Sequence, residues 1–467
     1  MLGVTSIATF LVSLDISIVV VAKRTIGEDL GGGSLLTWVF SAYAIAYAAA
    51  LLTAGRFADV FGRKRTFLRG VLWFSVGSLL CGIAPSTWFL VGARIVQAFG
   101  GAQLTPASLA LVLPEFPVER RTQAIAIWGA TGGLAAALGP SIGGVVVDAL
   151  GWRALFFLNI PLTLLTVAIG ARLLRESRDP AARREVDVPS AALGFAGVAL
   201  VVLGISQSEV WGWLTRGTIG SIAIGLALCV AFVVRCHRSP HPILDLSLFR
   251  LRFVVAANVA GIVFSMGFIG MWLLNTFWLQ AVWGYGVARS GLATFPGPAM
   301  AALMAPFAGR YADRLGHSRV LFAGSMLLTV GTLGLTLTVP DAPDYTTRYL
   351  PWMLVTGSGV GLSISTLSSS ATAFLKPTQL AMGSALNNTF RQVGTALGAA
   401  LSLAIAAPTL ARVEVARRAG ESVADVSTRE LHGAWLMNSA IYLAAGLAML
   451  AIFKRPTESQ MADARGD

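Results

Sequence analysis

Residues 55–65 read GRFADVFGRKR, and residues 309–319 read GRYADRLGHSR. Both fit the pattern G-R-aromatic-A-D-x-x-G-x-x-R, and they start 254 residues apart in a chain of 467. A charge rule for loops does not demand Gly and Asp at fixed offsets, so a repeated pattern of this kind points to two related halves.

Working outward, each copy follows a long apolar run. The chain is 55% hydrophobic and 12% charged, with mean hydropathy +0.72. A soluble protein carries roughly a quarter charged residues. This composition cannot cover a water-facing surface and indicates an all-α membrane protein. Fourteen apolar stretches approach the roughly 20 residues that a spanning helix needs. They lie near 2–22, 36–55, 67–84, 88–111, 123–147, 154–174, 190–208, 218–235, 253–280, 291–309, 320–339, 350–374, 383–407 and 433–453. The repeat then gives six helices (1–176), a charged linker with two inserted helices (177–251), and six more (252–467). No cleavable signal is expected, since no basic region precedes the first apolar run. The start is abrupt, which a missing short leading segment would explain.

The net charge of +12 does not indicate nucleic acid. With the N-terminus inside, 23 of the 35 Lys and Arg residues fall in inner segments and 10 in outer ones. That is the bias expected of a membrane topology with both termini cytoplasmic. A nucleic-acid footprint would cluster on one soluble domain. The remaining two, Arg94 and Arg391, lie inside spans. Three cysteines give no disulfide framework and no CxxC pair. RCHRSPHP, with Cys236, His237 and His241, is a weak metal candidate, and no metal site or catalytic residue is expected. GSGVG (357–361) sits in an apolar run without the Lys-Ser/Thr of a nucleotide loop.

Several polar residues sit where lipid or protein should surround them. Asp15, in FLVSLDISIVVVA (10–22), has no Lys or Arg within seven residues. In the fourth span Arg94, Gln97, Gly101, Thr105 and Ser108 share a helical face. Such a stripe should face protein or a water-filled cavity, or else Arg94 snorkels outward. Asp15 and Arg94 lie at similar depths below the outer surface, roughly 10 Å, which makes them candidate partners. The fifth span, WGATGGLAAALGPSIGGVVVD, repeats small residues every four positions, including Gly129 and Gly133, and is expected to make close helix contacts. In the ninth, Asn258, Gly261, Ser265, Phe268, Trp272 and Asn275 fall on one face. That face either lines a cavity for amphipathic molecules or glues helices together. In the thirteenth, Asn387, Asn388, Arg391 and Gln392 lie near the middle, too deep for Arg391 to snorkel comfortably.

Taken together, GRFADVFGRKR, LDISIVVVA, GPSIGG, GWRALFFLNIP and fourteen spans resemble the major facilitator superfamily, and within it the fourteen-helix drug:proton antiporter branch. The resemblance implies a major facilitator fold with two six-helix bundles and two extra helices at the periphery. It implies that Gly55, Asp59, Gly62 and Arg63 form a cytoplasmic gating loop, with Gly309, Asp313 and Gly316 as the second-half repeat. It implies proton coupling through Arg94 and Gln97, in the pattern R-x-x-Q-G-x-G with Ala98 for the first glycine. It also makes Gly139, Pro140, Gly143 and Gly144 an antiporter motif. The first-span pattern L-D-x-T-x-V-N-V-A-x-P keeps Asp15 but has Ser17 and Val20 at the polar positions, leaving the acid with fewer polar neighbours.

The expected function is proton-coupled export of small hydrophobic or cationic organic compounds from a bacterium, across its inner membrane. Asp15 would be the proton carrier. Asn258, Ser265, Phe268, Trp272, Asn275, Asn387 and Arg391 are the candidate substrate cavity. No cofactor is expected beyond the proton gradient; the partners are substrate, protons and the lipid bilayer, and the chain is expected to be a monomer. Export of a dedicated endogenous lipid or metabolite, proton-coupled import, and a non-transporting receptor remain open readings.

Overall fold

A computed structural model describes residues 2–178, 187–240, 242–419, 428–454 and 457–458. The long helices of the first part are α1 (Leu2–Val21), α2 (Leu36–Phe61), α3 (Arg63–Gly82), α4 (Thr87–Val112), α5 (Val118–Leu150) and α6 (Asn159–Leu173). Two more follow, α7 (Val188–Trp211) and α8 (Arg216–Arg238). The rest are α9 (Arg252–Phe277), α10 (Pro296–Leu315), α11 (His317–Thr338), α12 (Leu350–Thr372), α13 (Leu380–Ala419) and α14 (Arg429–Ile452). Lipid offers the backbone no hydrogen-bond partners, so apolar runs of this length satisfy their own N–H and C=O groups as helices.

Among the described residues, 11 helical segments are long and apolar enough to cross a membrane. The other three long helices, α3, α5 and α10, pack among them. Charge dilutes two of them, through Arg63, Lys64, Arg65 and Arg69 in α3 and Arg310, Asp313 and Arg314 in α10, while several side chains of α5 lie outside those described.

The pairing of helices repeats. In the first half α1 packs on α5, α4 packs on α2 and α3, and α3 packs on α6. In the second α9 packs on α13, α12 packs on α10 and α11, and α11 packs on α14. The two halves meet through α2 against α13 and α5 against α10 and α12.

The repeated loops match in backbone as well as in sequence. Gly62 ends α2 with φ 105° and ψ 137°, and Gly316 ends α10 with φ 94° and ψ 145°. Side chains with a Cβ disfavour that region, which explains a glycine at this offset in both copies.

The inserted helices are not both peripheral. α8 is largely exposed to the surroundings, but α7 packs against α2 and α13. Val198 and Val202 of α7 bury against Ala48 and Ala49 of α2, and Val201 and Ile205 against Ala400 of α13. Small residues on α2 and α13 let α7 lie along the seam between the halves. Asp187 caps its first turn, accepting from the Ser190 amide at 3.2 Å.

Candidate functional site

Asp15 lies on α1 with no exposed surface, and Arg94 on α4 is 2% exposed. Arg94 Nη1 donates to Asp15 Oδ2 at 2.5 Å and to Gln97 Oε1 at 2.6 Å. Gln97 Nε2 donates to Asp15 Oδ1 at 2.7 Å, and Asn159 Nδ2 donates to the same oxygen at 3.2 Å. Ser78 Oγ accepts from both amides, at 2.7 and 2.9 Å. Arg94 also donates to the Val39 carbonyl at 3.4 Å, and its guanidinium lies 4.1 Å from the Tyr43 ring centre. The arginine therefore turns into the protein and does not snorkel. Five helices (α1, α2, α3, α4 and α6) build the site, and each supplies one or two polar groups.

The polar neighbours that Asp15 lacks on its own helix thus come from elsewhere. Ser17 turns to its own helix, donating to the carbonyls of Ser13 and Leu14. The side chain of Val20 lies outside those described. Asn159 and Ser78 escape sequence reasoning because each is an uncharged polar residue in a mostly apolar run. The signal for Asn159 was its place in GWRALFFLNIP, where an amide opens a spanning helix.

The antiporter-motif helix packs beside this site. A Cβ on Gly139 would lie 2.0 Å from Ser17 Oγ, and one on Gly143 would lie 2.8 Å from Ile18 Cγ1. These glycines hold α5 against α1 two residues past Asp15. Gly144 is buried, and α5 runs uninterrupted through Pro140, whose side chain lies outside those described. Gly129 and Gly133 were expected to make the same kind of contact. They do not: a Cβ at either would meet nothing within 4 Å. Their missing side chains leave space instead.

The space at Gly133 adjoins a cavity of about 70 Å³ lined mostly by the second half. Gly133, Phe268, Trp272, Asn275, Met353 and Thr356 are among its walls. Asn275 Oδ1 accepts from Trp435 Nε1 at 3.1 Å. The expected α9 face is therefore split. Phe268, Trp272 and Asn275 line the cavity, whereas Asn258 serves packing: its Oδ1 accepts from Asn387 Nδ2 at 3.2 Å. Ser265 is buried away from the cavity. A turn of α-helix separates the two kinds of neighbour, and only folding decides which turn meets which helix. Arg391 is half-buried beside Gly261, with its Cγ 3.5 Å from where a Cβ there would sit.

On the side assigned as cytoplasmic, the halves are tied together. Arg63 is 3% exposed, donates to Asp59 Oδ1 at 3.2 Å and the Ala110 carbonyl at 3.3 Å, and also donates to the Pro377 carbonyl of the second half. A Cβ on Gly55 would lie 2.7 Å from Ala385 Cβ on α13. The second copy does the same in reverse. A Cβ on Gly309 would lie 3.0 Å from Gln123 Cα on α5, and the side chains of Thr122 and Gln123 donate to Asp313. Arg121 reaches the Leu375 carbonyl at 3.5 Å. Glu176, the last residue of the first six-helix segment, was not anticipated. It accepts from the Lys64 and Arg65 amides at 3.1 and 3.2 Å, a carboxylate on the N-terminus of α3. His241, of the weak metal candidate, lies outside the described residues, as does much of the linker and outer loop (179–186 and 420–427).

Comparison with known proteins places this geometry. The family described as the Major Facilitator Superfamily matches residues 5–399. A Mycobacterium tuberculosis multidrug resistance protein B homolog is 35% identical over 402 residues, 85% of this chain and 74% of that protein. The tetracenomycin C resistance and export protein of Streptomyces glaucescens is 30% identical, covering 85% and 73% of the two chains. A cephamycin export protein of Amycolatopsis lactamdurans is 33% identical, covering 85% and 83%. The structure of the human organic anion transporter MFSD10 superposes with TM-score 0.66 at 15% identity, covering 96% of this chain and 98% of that one, which speaks to fold alone. The chain belongs to the major facilitator superfamily and is a multi-pass transmembrane transporter.

Proposed function

We propose that this superfamily member is a proton-driven exporter of small, largely apolar organic compounds, working by alternating access across the cytoplasmic membrane of a bacterium. The observation that carries the reading is the buried Asp15–Arg94 pair, braced by Gln97 and Asn159 and flanked by the α1–α5 contact at Gly139 and Gly143. A charge pair inside the membrane is costly, and its usual use is to move protons or substrate. Protonation of Asp15 removes the charge that holds Arg94 and frees α1 and α4 to shift. The relatives' names, multidrug resistance and antibiotic export, support export over import.

In this reading all fourteen long helices span, with both termini cytoplasmic. The bundles are 1–176 and 252–467, with 177–251 inserted between them. The Gly55–Arg63 and Gly309–Gly316 loops act as a cytoplasmic latch, which is closed here. A cavity of about 70 Å³ is too small for a drug-sized molecule, whose sites run to roughly 300–1,000 Å³. Loading therefore requires the latch to open and the halves to rock. The proton gradient is the sole energy source, and a monomer suffices. A second reading, export of one metabolite made by the same cell, is favoured by the relatives named for tetracenomycin C and cephamycin.

The test is uptake of a panel of fluorescent organic compounds into inverted vesicles under an imposed pH gradient. Uptake should stop when the gradient is collapsed and should be lost in Asp15→Asn. Uptake that persists without a gradient, or survives that substitution with protons still released, refutes the mechanism. Uptake restricted to one compound class would favour the second reading.

A further inference from the structure

Among the described residues, Asp15, Arg94 and Arg391 are charged side chains deep in the long helices. The first two neutralise each other. Arg391 has no such partner among the described residues. Among the described residues no carboxylate lies within ion-pair distance of it, and its Nε is buried without a hydrogen-bond partner. It stands 11 residues into α13, roughly 16 Å from the cytoplasmic end of that helix and so near the membrane midplane. There it is too deep to reach headgroups, and it is only partly buried. Tyr47 of the other half is close enough to interact with it electrostatically. Tyr43, stacked on Tyr47 at 5.9 Å, has a buried hydroxyl with no partner among the described residues.

An unpaired cation at this depth is expensive unless something anionic visits it. Its position relative to the cavity adds a dimension. Gly261, which packs on Arg391, and Phe268, which lines the cavity, are seven residues apart on α9. That places them on the same face, roughly 10 Å apart. A molecule with its rings against Phe268 and Trp272 would present a group about 10 Å away to the guanidinium.

Resting on the export reading above, we propose that Arg391 recognises an acidic substituent of the cargo, so that the preferred substrates are amphipathic organic anions and not cations. The expectation of hydrophobic or cationic cargo is thereby narrowed: with Asp15 and Arg94 paired, the described residues near the midplane carry one uncompensated positive charge. The cargo is a flat apolar body with a carboxylate or similar acid on a short arm.

The experiment uses the full-length protein in detergent and three matched probes: pyrenebutyrate, its methyl ester, and a pyrene-butyl quaternary ammonium. Binding is read as energy transfer from tryptophan to pyrene. Pyrenebutyrate should bind at least tenfold more tightly than the ester, with the cation weakest. Arg391→Gln should bring pyrenebutyrate to the level of the ester and leave the ester within about twofold, while Arg391→Lys retains most of the preference. Equal binding of acid and ester by the unaltered protein, or tighter binding of the cation, overturns the proposal whether or not the Gln variant folds. Proton-driven uptake of the same probes into proteoliposomes separates the two claims. Uptake that favours the cation overturns this inference alone. Acid-selective binding with no uptake of any probe overturns the export reading and upholds the recognition.

Discussion

Replacing Asp15 by Asn separates the structural from the transport role of the buried pair. The partners are 2.5 Å apart and essentially unexposed. At an effective dielectric constant of about 20, their attraction is about 7 kcal/mol, set against a desolvation cost of several kcal/mol per ion. Removing the acid leaves Arg94 buried and uncompensated, a change that costs about 3–5 kcal/mol in comparable pairs. The Asn oxygen can still accept one of the three donors aimed at Asp15, returning about 1 kcal/mol. The net loss should be about 2–4 kcal/mol. Adding Arg94→Gln removes the orphaned cation, so the double variant should regain most of that stability. It should not regain proton coupling, because no group is left to carry the proton. Thermal unfolding in detergent, followed by tryptophan fluorescence, should rank wild type first, the double variant second and Asp15→Asn last. Proton release on substrate binding should be absent from both variants. The reasoning fails if Asp15→Asn is as stable as wild type, or if the double variant is less stable than the single one.

Other substitutions probe the remaining parts. Gly55→Leu forces a side chain into Ala385, only 2.7 Å from where the Cβ would sit, at a cost of about 1–3 kcal/mol to the closed latch. Spin labels at the cytoplasmic ends of α2 and α13 should then report longer distances, and an unchanged distribution would contradict the latch. Gly133→Ala meets nothing within 4 Å and should leave stability intact while altering substrate affinity, whereas Gly139→Ala meets Ser17 Oγ at 2.0 Å and should destabilise the α1–α5 contact; equal unfolding midpoints for the two would show that the glycines are not distinguished this way. Asp187→Ala removes the cap of α7 and should cost about 1 kcal/mol, visible as faster hydrogen exchange in its first turn. Burial tends to raise the pKa of Asp187, but hydrogen bonds from Ser190 and Arg235 outweigh it and hold it at about 2. Because the folded value lies below the ordinary 3.8, this stabilisation is fully present above that pH and fades as pH falls through about 2.

Much of this protein is legible without coordinates. Lipid leaves an apolar run of about 20 residues only one way to satisfy its backbone, so composition and run length alone yield the helices. The repeat at 55–65 and 309–319 yields the two halves, because Gly62 and Gly316 serve the same backbone turn. Matched depth makes Asp15 and Arg94 candidate partners. Depth along a helix follows from counting residues, but direction around it does not. Gly129 and Gly139 look alike in the sequence, yet one faces open space and the other touches Ser17. Asn258 and Asn275 share a predicted face, yet one bonds to Asn387 and the other lines a cavity. The same holds for Asn159 and Ser78, which complete the Asp15 site from α6 and α3, and for α7 along the seam of α2 and α13. The sequence by itself determined the helices, their repeat and which polar residues must be buried, because those depend on local periodicity and on the chemistry of lipid. Only the tertiary structure decided which buried groups meet and which, like Arg391, have no ion-pair partner among the described residues, because that depends on contacts between helices far apart in the chain.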